Sequence, residues 1–350
     1  MVTTTSADTM DIQSRLSKEK MTDYILTVPP IINGTTLNIT IDFNLGTLVD
    51  LNEKDQSLTL DGWLDVDWTD PRLAWSVSEY NTTEVCFKQK QTWLPSLVIT
   101  NTLKERKVMG YDDLLLYVSH DGHVTWYPGD IYKTRCMVDV TSFPFDYQTC
   151  TISVGLWLSN DKVRLQVSPD RSEEITSDKP NSEWEIVKLS KHVRNDEVEI
   201  VINMRRYPSY YVLNLLLPVM FISSLIPFAF ALPMEKGDRV SFTMSVVLSL
   251  VVFLTLLGDT LPKTSLQISI LSIYITTLLG ISVLSVVMVI LILKISAISD
   301  SRPIPAWIRR TTCLNERKLR QVKKRVVPAH THHPTARFSD PSQLSIAQRG

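Results

Sequence analysis

Three long runs without a charged residue dominate the second half of this 350-residue chain. They cover residues 207–234, 240–258 and 264–293. A helix needs about 20 mostly apolar residues to cross the hydrocarbon core of a bilayer. Each run therefore predicts one membrane-spanning helix, and the expected spans are 211–232, 239–258 and 266–294.

The charges on the two sides of these runs differ in sign. Residues 1–207 contain 31 acidic and 21 basic residues, whereas residues 294–350 contain 3 acidic and 12 basic ones. Basic flanks of membrane helices stay on the cytoplasmic side. The sequence thus predicts a multi-pass protein of the cell membrane: residues 1–207 are extracellular, 208–296 form the membrane part, and 297–350 are a basic, partly disordered cytoplasmic segment.

Alternating apolar residues fill the extracellular part, after a short amphipathic helix predicted at 11–24. One strand face, for example, contains Leu58, Leu60, Leu64, Val66 and Trp68. The other strand-like runs are 37–45, 96–102, 114–118, 123–127, 149–158, 162–167, 184–193 and 197–204. Many short strands separated by Gly, Pro and Asn turns predict an all-β sandwich. The expected fold is an extracellular β-sandwich with a short N-terminal helix, followed by an α-helical membrane bundle.

Two tryptophans face away from the apolar sides of their strands. Trp63 lies opposite Trp68, among aspartates, and Trp157 lies opposite a second apolar face. That second face contains Ile152, Val154, Leu156 and Leu158. An indole on a polar strand face must cover something, and a cation over such a ring gains about 0.5–2 kcal/mol. The pattern fits a ligand, a partner subunit or a loop packed over the ring.

Cysteines and glycosylation sequons agree with an extracellular location. Cys136 and Cys150 are close in sequence on the predicted outside, where a disulfide can form and persist. Such a bond would close a loop of about 15 residues and contribute about 3 kcal/mol. Cys86 has no obvious partner. Asn-X-Thr sequons begin at Asn33, Asn38 and Asn81.

The second uncharged run carries a polar stripe. At about 100° per residue, six side chains fall within about 40° of one line along the helix. They are Ser241, Ser245, Leu248, Val252, Thr255 and Asp259. Asp238 lies about 31 Å from Asp259 along such a helix. Hydroxyls, an apolar constriction and acidic ends suit a pore lining, but serine and threonine also pack helices together in any bundle.

Motifs for catalysis and metal binding are not evident. The sequence contains no nucleophile triad, phosphate-binding loop or zinc-spaced cysteines. Histidines cluster at 120–123 and 330–333, where we expect a turn and a tail rather than metal sites. The prediction is a protein that is not an enzyme, needs no cofactor and binds no nucleic acid.

The segment between the two cysteines resembles a known family. Phe143-Pro-Phe-Asp146 lies between cysteines that are separated by thirteen residues. This arrangement resembles the signature loop of the Cys-loop, or pentameric ligand-gated, ion channels, and the resemblance covers residues 11–315. Residues 63–75 are similar to the tryptophan-rich second strand of nicotinic receptors. Four further segments resemble landmarks of the family: residues 93–95, 122–128, 204–214 and 305–309.

This resemblance implies five subunits, identical or homologous, around a pore in a lipid bilayer, lined by the second membrane helix. A small agonist, for which the tryptophans favour a cation, would bind between neighbouring sandwiches. Trp157 would be the central aromatic residue of the principal face. The complementary face would contain Trp63, Thr125 and Tyr127.

The resemblance also implies how ligand binding is coupled to the pore. Glu53 and Arg206 would form a buried ion pair that links the sandwich to the membrane helices. The junction between the two parts would be made by Phe143, Pro144, Phe145, Asp146 and Pro262.

Several features depart from the family pattern. Thr100 occupies the position of an expected aromatic residue of the principal face. The hairpin that normally caps the site is short, at 190–197, and has neither an aromatic residue nor an adjacent cysteine pair. These differences argue against acetylcholine recognition. The family also ends with a fourth membrane helix and is exported, so we expect a sequence truncated before that helix, with a mature or incompletely defined N-terminus.

The inner turn at 235–239 favours cations. Asp238 and Asp259 would form carboxylate rings at the two mouths of the pore, with Leu248 as an apolar gate. Arg239 lies about 100° further round the helix, turned from the axis. The family's anion channels carry an extra proline and alanine before this arginine, and Gly237-Asp238 resembles the cation-selective form.

The expected function is therefore a ligand-gated channel for monovalent cations. One alternative is an accessory subunit of a heteromeric channel that binds no agonist itself. The other is a membrane-anchored binding or adhesion module, in which the polar stripe only packs helices.

Overall fold

The computed structural model describes residues 6–32, 34–111, 113–158, 161–168, 181–232, 238–262 and 267–296. Asn33, most of the inner turn (233–237), the loop after Pro262 (263–266) and the segment 297–350 lie outside the described residues. Predictions that concern those positions are expectations from sequence alone.

The described strands form two sheets. The helix α1 (Ser6–Met21) precedes the first strand, and the one-turn helix α2 (Val77–Tyr80) lies between the second strand and the third. The seven-stranded sheet contains β1 (Leu37–Asn52), β2 (Ser57–Thr69), β3 (Glu84–Lys88), β5 (Leu115–Ser119), β6 (His123–Trp126), β7 (Gly129–Arg135) and β9 (Val163–Val167). Its order is β3-β5-β6-β2-β1-β9, and β7 pairs with β2. The four-stranded sheet, in the order β10-β11-β8-β4, contains β4 (Leu97–Ile99), β8 (Tyr147–Leu156), β10 (Trp184–Arg194) and β11 (Glu197–Arg206).

Apolar side chains from both sheets form one core. Its buried members include Ile39, Ile41, Leu58, Leu60, Trp126, Val154, Ile200 and Met204. The two tryptophans of β2 lie on opposite faces of the sheet, as the alternation predicted: Trp68 is 3% exposed and Trp63 is 43% exposed. A sheet with one buried and one solvated face produces this pattern.

β1 is longer than its predicted run, which stops at residue 45. Two register shifts against β2 interrupt the strand, between Leu45 and Thr47 and between Leu48 and Asp50. A bulge adds a residue to one strand and moves the apolar set to the opposite parity. Gly46 lies at the first shift, where a Cβ atom would be 2.8 Å from the Asp61 Oδ2 atom. The loss of alternation after residue 45 therefore marks an irregular strand and not its end.

Two strands and one side chain differ from the sequence prediction. β3 and β7 were not predicted from the sequence. Each pairs with a strand that was predicted, β3 with β5 and β7 with β2. Leu158 was predicted on the apolar face of β8 but is 72% exposed. β8 ends at Leu156, where its pairing with β4 ends, so the alternation does not extend to residue 158.

Among the described residues, three helices follow the sandwich: α3 (Ser209–Ala231), α4 (Asp238–Thr260) and α5 (Ile270–Ser296). All three are long and apolar enough to cross a membrane. α3 is irregular. Its turn at Val212–Leu216 is a π-helix that leads into Pro218, and the α-helical pairing is interrupted again at Pro227. Proline cannot donate a backbone hydrogen bond, which explains both irregularities.

Candidate functional site

An aromatic face covers the outside of the seven-stranded sheet. Trp63 on β2, Tyr117 on β5 and Tyr127 after β6 are all exposed. The rings of Tyr117 and Tyr127 meet edge to face, with centroids 6.0 Å apart. We call these three residues the aromatic face.

Polar groups lie beside the aromatic face. Thr125 pairs with Tyr117 on one side and with Asp67 on the other. Its hydroxyl donates to the Asp67 Oδ1 atom at 2.7 Å, and the His123 Nε2 atom lies 3.3 Å from the same oxygen. The sheet thus places aromatic rings and a carboxylate on one surface, which is a chemistry suited to a cation.

Tyr117 is a residue of this face that sequence reasoning missed. The signal was present, because Leu116 and Val118 of β5 are buried and the residue between them must point outwards. Trp63, Thr125 and Tyr127, by contrast, were named as one group; Trp63 and Thr125 lie on strands of this sheet, and Tyr127 directly follows β6.

Trp157 and Thr100 lie at the edge of the four-stranded sheet, each directly after the last residue of its strand, β8 for Trp157 and β4 for Thr100. Trp157 is 53% exposed, and its backbone N–H donates to the Ser96 carbonyl at 2.8 Å. The Thr100 hydroxyl donates to the Glu197 Oε2 atom at 2.9 Å. A carboxylate therefore stands next to Thr100, where the family pattern has an aromatic ring. Sequence reasoning missed Glu197, whose partner is 97 residues away in the chain.

The hairpin between β10 and β11 is tighter than its predicted loop of 190–197. The strands continue to Arg194 and restart at Glu197, so only Asn195 and Asp196 form the turn. Both have positive φ, 53° and 61°, as two-residue type I′ turns require. This hairpin presents no aromatic ring at its tip.

Arg206 forms the centre of a buried ionic cluster at the end of β11. Its side chain is fully buried. The guanidinium lies 2.6 Å from the Glu53 Oε1 atom, 2.8 Å from the Asp146 Oδ1 atom and 3.4 Å from the Glu183 Oε1 atom. One buried cation thus faces three carboxylates. The structure brings together Glu53, Asp146 and Arg206, which the family resemblance had named, and adds Glu183, which sequence reasoning missed.

Aromatic rings complete the surroundings of Arg206. The guanidinium carbon lies 4.1 Å from the centre of the Trp184 ring, 5.0 Å from that of Phe143 and 5.3 Å from that of Tyr211. The Tyr211 hydroxyl donates to the Glu183 Oε1 atom at 2.6 Å. Trp184 and Tyr211 had no predicted role here, because cation–π contacts across the fold leave no local sequence pattern.

The balance of charges affects Glu53 in particular. Burial raises the pKa of Glu53 above its usual value, and the attraction of Arg206 opposes this shift without cancelling it. Asp146 contacts the same guanidinium through both of its oxygens, which accept from Nε and Nη2 at 2.8 and 3.2 Å, so Arg206 is shared between the two carboxylates. Arg206 therefore stabilises the Glu53 carboxylate less than a dedicated partner would.

The loop between the cysteines links this cluster to the membrane helices. Cys136 and Cys150 form the predicted disulfide. The Thr141 carbonyl accepts from the Ile270 N–H at 3.0 Å, at the start of α5. The loop residues Ser142, Phe143, Pro144 and Phe145 line an apolar cavity of about 470 Å³ together with Leu216, Ile270, Leu271 and Tyr274. Pro262 is buried just after the end of α4 and is not among the residues that line this cavity.

The α4 helix has a buried and an exposed side in the single chain. Its buried side contains Arg239, Thr243, Val246, Leu250 and Leu257. The seven residues predicted to line a pore are all exposed: Asp238, Ser241, Ser245, Leu248, Val252, Thr255 and Asp259. The Ser245 hydroxyl donates to the Ser241 carbonyl at 2.9 Å, so this polar group is satisfied within the helix.

Arg239 lies on the buried side, one position after Asp238. Its guanidinium donates to the carbonyl oxygens of Leu232 and, at 3.4 Å, of Phe230. These carbonyls lie at the C-terminal end of α3, where unpaired backbone acceptors and the helix dipole favour a positive charge. The arginine is therefore directed at α3 and away from the exposed line of α4.

Comparison with known proteins agrees with this architecture. The family described as neurotransmitter-gated ion-channel ligand binding domain matches residues 13–217, and the corresponding transmembrane region matches residues 215–347. The chain belongs to the neurotransmitter-gated ion-channel family. This result confirms the predicted family and the predicted order of a β-sandwich followed by membrane helices; the family consists of channels and not of enzymes.

Nicotinic receptor subunits are among its relatives. The chain is 30% identical over 318 residues to the neuronal acetylcholine receptor subunit alpha-3 of Bos taurus, which covers 87% of this chain and 64% of that protein. It is 29% identical over 325 residues to the acetylcholine receptor subunit beta of Rattus norvegicus (86% and 65%). It is 31% identical over 312 residues to the human neuronal subunit alpha-4 (85% and 49%). The chain thus spans about half to two thirds of the length of these relatives.

Proposed function

We propose that this chain is a subunit of a pentameric, cation-selective channel that opens when a small organic cation binds between neighbouring subunits. The five subunits are identical or homologous, and α4 of each lines the pore. The observation that carries this proposal is the exposed line on α4, since seven exposed residues with a carboxylate at each end need a common aqueous space within a membrane.

The distribution of charge supports selection of monovalent cations. Five copies of Asp238 and of Asp259 form two carboxylate rings, while Arg239 is directed at α3. The excess of acidic residues in 1–207 raises the local concentration of cations above the pore. Leu248 forms the apolar constriction that excludes water in the closed state. In this arrangement the N-terminal part is extracellular, and residues 297–350 are cytoplasmic.

The ligand site follows from the two exposed surfaces of the sandwich. Trp157 and Thr100 lie on one sheet and the aromatic face on the other, so that a ligand contacts both only where two subunits meet. Aromatic rings together with Asp67 and Glu197 favour a small cation. Acetylcholine itself is disfavoured, because Thr100 and the short hairpin supply no aromatic rings.

Recordings from oocytes that express the full-length protein test the ion. Small amines, amino acids, protons and divalent ions are applied in turn, and the reversal potential of any current is measured while sodium or chloride is replaced. We expect it to follow sodium. A reversal potential that follows chloride would contradict the proposal.

Cysteine accessibility tests the pore lining with a matched pair. Ser245→Cys places a thiol on the exposed line of α4, and Val246→Cys places one on its buried side. A charged methanethiosulfonate reagent should block the current of the open Ser245→Cys channel and leave that of Val246→Cys unchanged. Equal modification of both variants would favour helix packing as the role of the stripe.

A second candidate function is that of an accessory subunit without an agonist site of its own. The absence of an aromatic ring at Thr100 and in the described hairpin favours it. Co-expression with a nicotinic receptor subunit distinguishes the two, because an accessory subunit gives no current alone but changes the conductance of the mixed channel.

A further inference from the structure

We propose that a buried ion pair, Lys191 with Asp42, fixes the hairpin of β10 and β11 as an immobile wall of the ligand site. A hairpin that closes over a ligand has to move relative to the rest of the sandwich. The inference rests on the proposed function only in calling this surface a ligand site. Its structural content, a hairpin that does not move on its own, is independent of any ligand.

The pair joins the two sheets of the sandwich. Lys191 belongs to β10 and Asp42 to β1, and their side chains are 2% and 6% exposed. The Lys191 ammonium donates to the Asp42 carboxylate and lies 3.5 Å from the Phe43 carbonyl. The Asp42 Oδ1 atom also accepts from the Phe43 N–H at 2.7 Å. Both charges are thus paired and hydrogen-bonded, as burial requires.

The position of Lys191 makes this contact relevant to the hairpin. It lies three residues before Arg194, where β10 ends, and the two-residue turn follows directly. A turn this short has no slack of its own, because Asn195 and Asp196 already take up the reversal of the chain. Any outward movement of the tip must therefore pull on the strand that carries Lys191.

The cost of such movement follows from the burial of the pair. Separating Lys191 from Asp42 would leave two unpaired charges in a largely water-free place, which is far more unfavourable than breaking an exposed ion pair. The hairpin has an exposed ion pair for comparison. At its tip, Arg164 of β9 lies 2.7 Å from Asp196, and both side chains are more than half exposed.

The opposite strand of the hairpin is also held. Glu197 accepts from Thr100, and its Cγ atom packs at Gly155, where a Cβ atom would lie 3.3 Å away. The hairpin is therefore attached to β1 on one side and to the segment after β4 on the other. A ligand of such a site meets a preformed wall, and little of its binding energy is lost in ordering the hairpin.

Hydrogen–deuterium exchange of the full-length protein in lipid nanodiscs, without ligand, tests this inference. In the wild type, the peptide that covers residues 188–200 should exchange as slowly as those of the core strands. The variant Asp42→Asn/Lys191→Met removes both charges and leaves none unpaired, so it should fold. We expect exchange in 188–200 to rise by about 10-fold or more, with little change in β2 and in the thermal unfolding temperature.

Arg164→Ala is the matched control, since it removes the exposed ion pair of the same hairpin. We expect it to change exchange in 188–200 by less than about threefold. The inference fails if the wild-type hairpin exchanges like an unstructured turn, or if the double variant leaves its exchange unchanged. Neither result depends on whether the protein conducts ions, so a failure of the channel proposal is distinguishable.

Discussion

The Arg206 cluster and the aromatic face differ in how complete they are within one chain. Arg206 is fully buried and pairs with three carboxylates of the same subunit, those of Glu53, Asp146 and Glu183. The rings of the aromatic face stay exposed, and the residues proposed to complete their site lie on the other sheet. Substitutions in the Arg206 cluster should therefore lower the stability of the fold. Substitutions in the aromatic face should affect only the binding of a ligand or of a neighbouring subunit.

The largest effect is expected for Arg206→Gln. It leaves Glu53, Asp146 and Glu183 without their common cation, and breaking a buried ion pair from one side costs about 3–5 kcal/mol. Thermal unfolding and the amount of correctly assembled protein on size exclusion measure the loss.

Arg205→Gln is its control, because Arg205 is the preceding residue and is paired with Glu185 at the surface. We expect a change of at most about 1 kcal/mol in the free energy of unfolding. If both variants lose the same free energy of unfolding, the burial of the Arg206 cluster does not make its ion pairs more important for stability than a surface pair.

The same contrast explains what could be predicted from the sequence. Exposed aromatic residues on a strand follow from alternation, so Trp63 was found and Tyr117 could have been. Tyr127 was indicated by the family resemblance. The Arg206 cluster is assembled from β11, the disulfide loop and the segments around Glu53 and Glu183, up to about 150 residues apart. No local period encodes such contacts, and only the family resemblance indicated Glu53 and Arg206.

Trp157→Ala should have the next largest effect, and on ligand binding rather than on folding. Its ring is 53% exposed, so the free energy of unfolding should change by less than about 0.5 kcal/mol. Loss of a cation–π contact should raise the half-maximal concentration of an activating amine by about 10-fold.

Leu158→Ala is the neighbouring control, since Leu158 is even more exposed. It should leave the half-maximal concentration unchanged within about twofold. If the two variants shift the half-maximal concentration equally, Trp157 does not contribute specifically to ligand binding. The exposed region would then not differ from the Arg206 cluster by a role in binding.

The disulfide loop offers a smaller test of how the two regions communicate. Phe143 is buried against Tyr211, with ring centroids 4.8 Å apart, whereas Phe145, two residues on, is exposed. Phe143→Leu removes an aromatic contact of about 0.5–1.5 kcal/mol. It should lower the maximal current, with a smaller effect on the affinity for the ligand. Phe145→Leu should lower it less, because within the described part of the chain no aromatic ring packs against Phe145 as Tyr211 packs against Phe143. A larger loss for Phe145→Leu would mean that the contact between Phe143 and Tyr211 does not carry the coupling.

The smallest expected effect is on the pH dependence of stability. It tests whether burial or the charge of Arg206 determines the direction of the pKa shift of Glu53. Its pKa in the folded protein is raised above the usual 4.5, mainly by burial. The folded state therefore binds a proton more readily than the unfolded chain does, and the contribution of Glu53 to stability is full below about pH 4.5 and is lost as the pH rises through the folded-state pKa. Compared with Glu53→Gln, which stays neutral, the wild type should gain thermal stability as the pH falls from about 8 to about 5. If it loses stability relative to Glu53→Gln instead, the folded-state pKa is depressed, and the ion pair with Arg206 outweighs the cost of burying the carboxylate.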